Sequence, residues 1–326
     1  MSIGLTQKLL PINTAQEKRK FLFDPEYNPQ FEYEDEIEEE DLLFHGEASE
    51  ALLPTAKYIL NKVHKQWSDE EAYMAETEGS LLSQTEVEQA IRSYLQRHRL
   101  DSIVNVNYSS KVVSRTSVTG NTINIRTPIQ YRAQGVLGML EHEVGVHIMR
   151  RLNDEKQPWR GHRGKFHLSP YLGTEEGLAV LHAHVIREDK LIWAAALSYY
   201  GVYLAHRMSF AQMFKELKQY VSDSERLWSL CLRCKRGLKD TSLPGGYTKN
   251  QLYLQGAVDV YRWLKQHDFN ARSLYIGKVA IEDVDRLSQL SELSPDDLVL
   301  PQLLMNKEWY REQILKIGAE NKFPLS

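Results

Sequence analysis

Apolar positions recur three and four residues apart in several stretches of this chain. Leu52, Leu53, Ala56, Ile59, Leu60 and Val63 set out an amphipathic helix over about 49–67, and Val87, Ala90, Ile91, Tyr94 and Leu95 another over about 84–98. From 102 to 126 the period shortens to two. SIVNVNYS, KVVSRTSV and NTINIRTP are rich in Val, Ile and Thr and alternate with polar residues, which predicts two or three strands with a turn at Gly120–Asn121. Helical spacing returns with Val136, Leu137, Leu140, Val144 and Ile148 over about 132–152, and a loop rich in Gly, Arg and Pro follows at 157–173. Thr174 is placed to N-cap the next helix, with Glu175 and Glu176 in its first turn. Further helical stretches are predicted at about 174–200, 204–221, 248–265, 282–292 and 305–317. Strands that precede a run of helices indicate a helix-rich α+β fold. With no tandem repeat and no Gly/Ser linker, the best boundary lies near residue 100, dividing an N-terminal helical region (1–100) from a larger domain (101–326).

Composition narrows the function classes. The 326 residues are 42% hydrophobic and 26% charged, as in ordinary globular proteins, and the formal charge of −4 gives no nucleic-acid footprint over the whole chain. That balance hides an acidic arm at 32–41, EYEDEIEEED, with eight acids and no base, so the remainder sums to +4. The arm is expected to be solvated and partly disordered, or else to cover a basic cleft within the same chain. No apolar run reaches the 18 or so residues that a membrane span needs. The N-terminal stretch has no sustained apolar core and no small-residue cleavage site, so a cytoplasmic protein is expected. Cys231 and Cys234 form a CxxC, but no other cysteines exist to complete a zinc site and no thioredoxin-like strand precedes them.

Residues 142–147 read His-Glu-Val-Gly-Val-His, a HExxxH on a predicted helix. The familiar HExxH brings its histidines to one face, whereas a five-residue spacing splays them by roughly 140° in a regular α-helix. One inserted residue is absorbed by a π-bulge, and Gly145 lies inside the insertion, where a distorted turn is best tolerated. Chance alone would place His, acid and His at these offsets about 0.05 times in a chain of this composition. A catalytic zinc takes two histidines, a carboxylate and an open position for water. Glu176, 29 residues after His147, supplies the carboxylate, its neighbour Gly177 letting the two helices approach, while Glu175 is free to hold a histidine from behind.

HEVGVH, then EEGLA, then GGYTKNQLYLQG at 245–256 resemble the microtubule-associated tyrosine carboxypeptidase family and its bacterial relatives, over about residues 105–265. Val144 and Val146 replace the family's Ile and Thr, and Asn250 stands where Asp is expected. The family in turn resembles gluzincin metallopeptidases. The resemblance implies a gluzincin-like core in 101–326, zinc held by His142, His147 and Glu176, and Glu143 as general base. Tyr253 is the first candidate for the oxyanion donor and Tyr247 the second. A C-terminal exopeptidase also needs a cation for the free carboxylate. Arg160, Arg163, Arg233 and Arg236, in the basic segments 150–167 and 232–239, are candidates, and so is Lys249. His162 and His167 are further candidates for substrate contact. Strand NTINIRTP is placed to pair with an extended peptide along a free edge. His182 and His184 read as structural, and Arg187 as a neighbour for an acid of the site.

A zinc carboxypeptidase acting on peptide or protein C-termini, with no nucleic-acid or membrane partner, is the reading that follows. An endopeptidase or aminopeptidase with the same site, and a non-catalytic zinc-containing binding protein, remain as alternatives.

Overall fold

The computed structural model of the chain describes residues 5–110, 112 and 115–324. Lys111, Val113 and Ser114, in the predicted strand segment KVVSRTSV, lie outside the described residues. Helices dominate, with one three-stranded mixed sheet among the described residues, so the fold is helix-rich α+β. The chain divides into two compact units, each built from two stretches, residues 1–73 with 193–255 and residues 74–192 with 256–326.

In the first unit the helix Leu53–Gln66 packs on the helix Trp193–Ala205. The predicted apolar stripe is the buried one, with Ala56, Ile59, Leu60 and Val63 in the core. Two helices here escape the hydrophobic pattern, Thr14–Phe23 and Glu70–Glu78, because each buries a glutamate. Glu17 accepts from Tyr27 Oη at 2.6 Å and from the Gln30 amide at 2.7 Å, and Glu70 from the amides of Ser222 (2.8 Å) and Asp223 (3.0 Å). A buried acid with several donors is tolerated in a core, but it reads as surface in sequence. The acidic arm meets regular structure at its C-terminal end. Glu39–Leu42 is a short helix whose Asp41 accepts from the Glu38 amide at 3.2 Å and pairs with Lys8 at 2.5 Å, while Leu42 packs with Leu9 and Tyr247.

The second unit holds the sheet, β1 Asn105–Ser109, β2 Thr116–Thr119 and β3 Thr122–Arg126, in the order β1-β3-β2. β3 runs parallel to β1 and antiparallel to β2, with the predicted turn at Gly120, whose φ of +59° favours glycine. Because β3 is central and paired on both sides, the expected peptide addition along NTINIRTP has no free edge to use. A long helical rod follows from Ala133 to Asp154, against which the helix Leu172–Val185 packs.

Two local expectations are corrected here. The stretch 174–200 is broken after Val185, where the buried Lys190 donates to the carbonyls of His184 (3.1 Å), Val185 (2.8 Å) and Arg187 and so terminates the helix. Thr174 is not the N-cap, because the helix already begins at Leu172 and the Thr174 hydroxyl accepts from the Ile281 amide at 3.0 Å.

Gly177 allows a close approach, but to a different partner from the one expected. A Cβ at Gly177 would lie 2.1 Å from the Gly256 carbonyl carbon, so the approach is to the helix Leu252–Gln266 rather than to the histidine rod. Backbone cannot yield as a side-chain tip does. Gly177→Ala is therefore expected to cost about 3 kcal/mol or more, at the top of the overpacking range. Urea unfolding measures this, and an unchanged midpoint would contradict the close contact.

Candidate metal centre

The rod Ala133–Asp154 is α-helical at both ends and π-helical over Glu143–Ile148. The Met149 amide bonds the Val144 carbonyl five residues back, the register of a π turn. This widening places residue i+5 beneath residue i, as an α-helix places i+4. His142 and His147 consequently stand together, their ring centroids 5.0 Å apart. Gly145 serves the turn through space rather than through φ. A Cβ there would meet Glu141 Oε2 at 2.7 Å and the Tyr94 hydroxyl at 3.0 Å.

From the helix Leu172–Val185, Glu176 presents Oε2 at 3.7 Å from Nε2 of both His142 and His147. These separations are too long for hydrogen bonds. They are short enough for an imidazole and the carboxylate to reach one ion at about 2.0–2.1 Å. Ligand atoms of the three residues all lie within 4.8 Å of one another, the set of two imidazoles and one carboxylate that suits a catalytic zinc.

Glu175 sits behind this set. Its Oε1 accepts from His147 Nδ1 at 2.8 Å and from Lys278 Nζ at 2.6 Å, and its Oε2 accepts from Arg150 Nη1 at 3.3 Å. A carboxylate that only accepts requires the proton of His147 on Nδ1, which leaves Nε2 a free lone pair facing Glu176. Burial works to raise the Glu175 pKa, but the bond to His147 and the charges of His147, Lys278 and Arg150 outweigh it and hold the carboxyl at about 2. Burial lowers the pKa of His142. At His147 burial acts the same way, but the bond and charge of Glu175, with Glu176 and Glu143, overcome it and raise the pKa. Three carboxylates thus make the locality attractive to a cation.

Glu143 is half-buried on the π turn beside His142. Arg160 pairs with Asp154 at 3.5 Å and is half-exposed. Arg163 donates to the carbonyls of Lys278 (2.9 Å) and Ser169 (3.3 Å), with its guanidinium 4.6 Å from the centre of the Tyr171 ring. His162 and His167 are exposed. Arg187 does not touch an acid of the site. It pairs with Glu78 at 2.9 Å and lies against Gly138.

Five further candidates belong to the first unit. Tyr253 is half-buried in the first turn of the helix Leu252–Gln266, and Lys249 half-buried in the turn Thr248–Gln251. Tyr247 is 1% exposed, with its hydroxyl 3.0 Å from His45 Nε2 and the Arg236 guanidinium 4.7 Å from its ring centre. Arg236 is buried and its Nε finds no partner among the described residues, whereas Arg233 is exposed. Cys231 and Cys234 are buried free thiols whose pKa values burial raises, and the Asn250 amide lies 3.9 Å from Cys234 Sγ.

Sequence reasoning missed Lys278 as a partner of Glu175 and took Arg150 for one base among many. Arg150 carries a usable signal, since it lies three residues after His147 and so shares its face. Lys278 carries none, being brought in from 103 residues away.

Glu141 lies one residue before His142, with Oε2 buried and, among the described residues, without a hydrogen-bond partner. Burial pushes its pKa up to about 7, and nearby Tyr94 and Arg97 offset only part of this. A carboxyl raised in the folded state binds a proton that the unfolded chain has lost, so stability falls as pH rises from about 4.5 to about 7. Glu141→Gln is expected to stabilise the metal-free protein by roughly 2–3 kcal/mol at pH 8.5 and to change little at pH 4.5. Urea unfolding at the two pH values tests the sign. Equal effects at both would refute it.

The profile of the microtubule-associated tyrosine carboxypeptidase family matches residues 35–310. A putative tyrosine carboxypeptidase of Mus musculus is 36% identical over 321 residues, covering 96% of this chain and 61% of the relative. Microtubule-associated tyrosine carboxypeptidase 1 of Homo sapiens is 36% identical over 323 residues, with 96% and 67% covered, and that of Rattus norvegicus 35% identical, with 96% and 68% covered. This chain therefore spans about two thirds of the length of these relatives and matches them along nearly all of its own. It belongs to the microtubule-associated tyrosine carboxypeptidase family.

Proposed function

We propose that this chain is a zinc-dependent carboxypeptidase with a gluzincin-like core, removing C-terminal residues, aromatic ones foremost, from peptides or proteins. The meeting of His142, His147 and Glu176 across a π turn is the observation that carries this reading. The relatives' names, tyrosine carboxypeptidases, support the C-terminal direction. His142 Nε2, His147 Nε2 and a Glu176 oxygen would hold the ion, with Glu175 fixing the tautomer of His147. Bound there, zinc supplies a water of near-neutral pKa and polarises the scissile carbonyl.

Glu143 acts as general base on the attacking water and then hands that proton to the leaving amine. The oxyanion needs a donor besides the metal, a role assigned to Tyr253 first and Tyr247 second. Of the five bases weighed for the terminal carboxylate, Arg236 has the strongest support, because a buried guanidinium with an unpartnered N–H favours an anion. We assign the catalytic part to 101–326 and the location to the cytoplasm. Among the described residues no helix is long and apolar enough to cross a membrane.

A peptide library read by mass spectrometry tests the activity, with Glu143→Gln alongside. Wild type is expected to shorten peptides from the C-terminus, and Glu143→Gln to retain zinc while losing roughly 100- to 10,000-fold in rate. Internal cuts or N-terminal losses would keep the chemistry and overturn the direction. No cleavage with zinc present would favour a non-catalytic zinc-containing binding protein.

Zinc content gives an independent check. His147→Ala is expected to fall from one zinc per chain to none under dialysis that leaves the wild type loaded. Equal zinc in both proteins would refute the ligand assignment.

A further inference from the structure

A π turn is rare and held against the tighter α geometry on either side, so something outside the helix must fix it. At its centre the Gly145 carbonyl accepts a hydrogen bond from the Tyr275 hydroxyl at 2.7 Å. Tyr275 is fully buried and distant in sequence. Its own carbonyl is tied to the same rod about two turns further on, accepting from Asn153 Nδ2 at 2.8 Å, and the preceding carbonyl of Leu274 accepts from Arg150 Nε at 2.8 Å. The tyrosine is thereby clamped to the rod at two heights.

Behind Tyr275 stands His182, buried between two tyrosines. Its Nδ1 lies 3.3 Å from Tyr275 Oη and its Nε2 lies 3.0 Å from Tyr310 Oη. The single proton of Tyr275 is committed to the Gly145 carbonyl. His182 must therefore donate from Nδ1 to Tyr275 Oη and accept at Nε2 from Tyr310, a neutral tautomer with one consistent direction for every proton. Burial, which pushes the His182 pKa down to about 3, keeps the ring neutral across the physiological range.

We infer that Tyr275 is a positioning residue, whose hydroxyl pins the π turn at Gly145 and so sets the convergence of His142 and His147, with His182 fixing the direction of its proton. The consequence for metal binding rests on the function proposed above. The pinning of the turn does not.

Tyr275→Phe removes the donor and keeps the ring. The control is Tyr261→Phe, another buried ring, which packs on Phe323. Hydrogen exchange of the metal-free proteins is read by peptides over 143–150 and over 172–185. Tyr275→Phe is expected to accelerate exchange at least about ten-fold in the first segment alone, and to weaken zinc about 10- to 100-fold in competition with a chromophoric chelator. Tyr261→Phe changes neither.

Unchanged exchange at 143–150 overturns the inference whatever the metal does. Faster exchange with unaltered zinc affinity overturns the positioning role. If wild type and His147→Ala take up zinc equally, the metal reading fails, and the exchange result alone decides whether Tyr275 pins the turn. Should Tyr275→Phe not fold, His182→Asn, which keeps a donor facing Tyr275, is expected to retain wild-type exchange and zinc affinity where His182→Leu loses both. Equal behaviour of those two would overturn the inference.

Discussion

Two histidines five residues apart can meet only where the helix that carries them widens, and much of the second unit is organised around that requirement. The turn needs room, which Gly145 supplies by having no side chain where Glu141 and Tyr94 crowd in. It needs a register, visible in the bond from Met149 back to Val144. It also needs an external hold, and the segment 274–279 is lashed to the rod by Arg150 and Asn153 and to the turn just after it by Gln157, whose donors reach the carbonyls of Leu274, Val279, Tyr275 and Ile276. The two flanking α segments then carry the rod into the core on either side.

Electrostatics follow from the same geometry. Glu175 is buried, and a lone ion in that position would be costly. It keeps its charge because His147 and Arg150, neighbours on the rod, and Lys278, far away in sequence, converge on it. Removing one partner would leave the others facing an under-compensated charge, so these residues act as a group. Glu176 is one residue away on the same helix and faces both imidazoles instead.

Much of the outline of both units was legible in the sequence. The i, i+3, i+4 stripes of Leu53–Gln66 and Gln84–Arg97 and the alternation in β3, where Ile123 and Ile125 are buried, reflect plain burial of apolar side chains, which periodicity reports directly. The anomalous spacing of His142 and His147 announced a departure from α geometry, because the α angle of 100° per residue leaves few ways to use both. What stayed hidden were positions where polarity is buried. Glu17 and Glu70 disguised two helices, Lys190 ended a third, and Thr174 spent its hydroxyl on Ile281 instead of capping. Tyr275, His182 and Lys278 were hidden for another reason. Their partners lie 93 to 130 residues away along the chain, beyond any local pattern.

The clamp on 274–279 has a consequence for how freely that segment can vary. Arg150, Asn153 and Gln157 all address main-chain oxygens, so what they recognise is the course of the chain and not its spelling. Leu274, Ile276 and Val279 answer only to the packing around them and can exchange for other apolar residues without breaking a single one of these bonds. Gly277 has no such licence, since a Cβ there would meet Asp154 Oδ1 at 2.8 Å. Selection on this strap is therefore expected to fall on the three polar donors that address it, on Gly277, and on Tyr275 and Lys278, whose side chains have partners of their own, leaving Leu274, Ile276 and Val279 to drift.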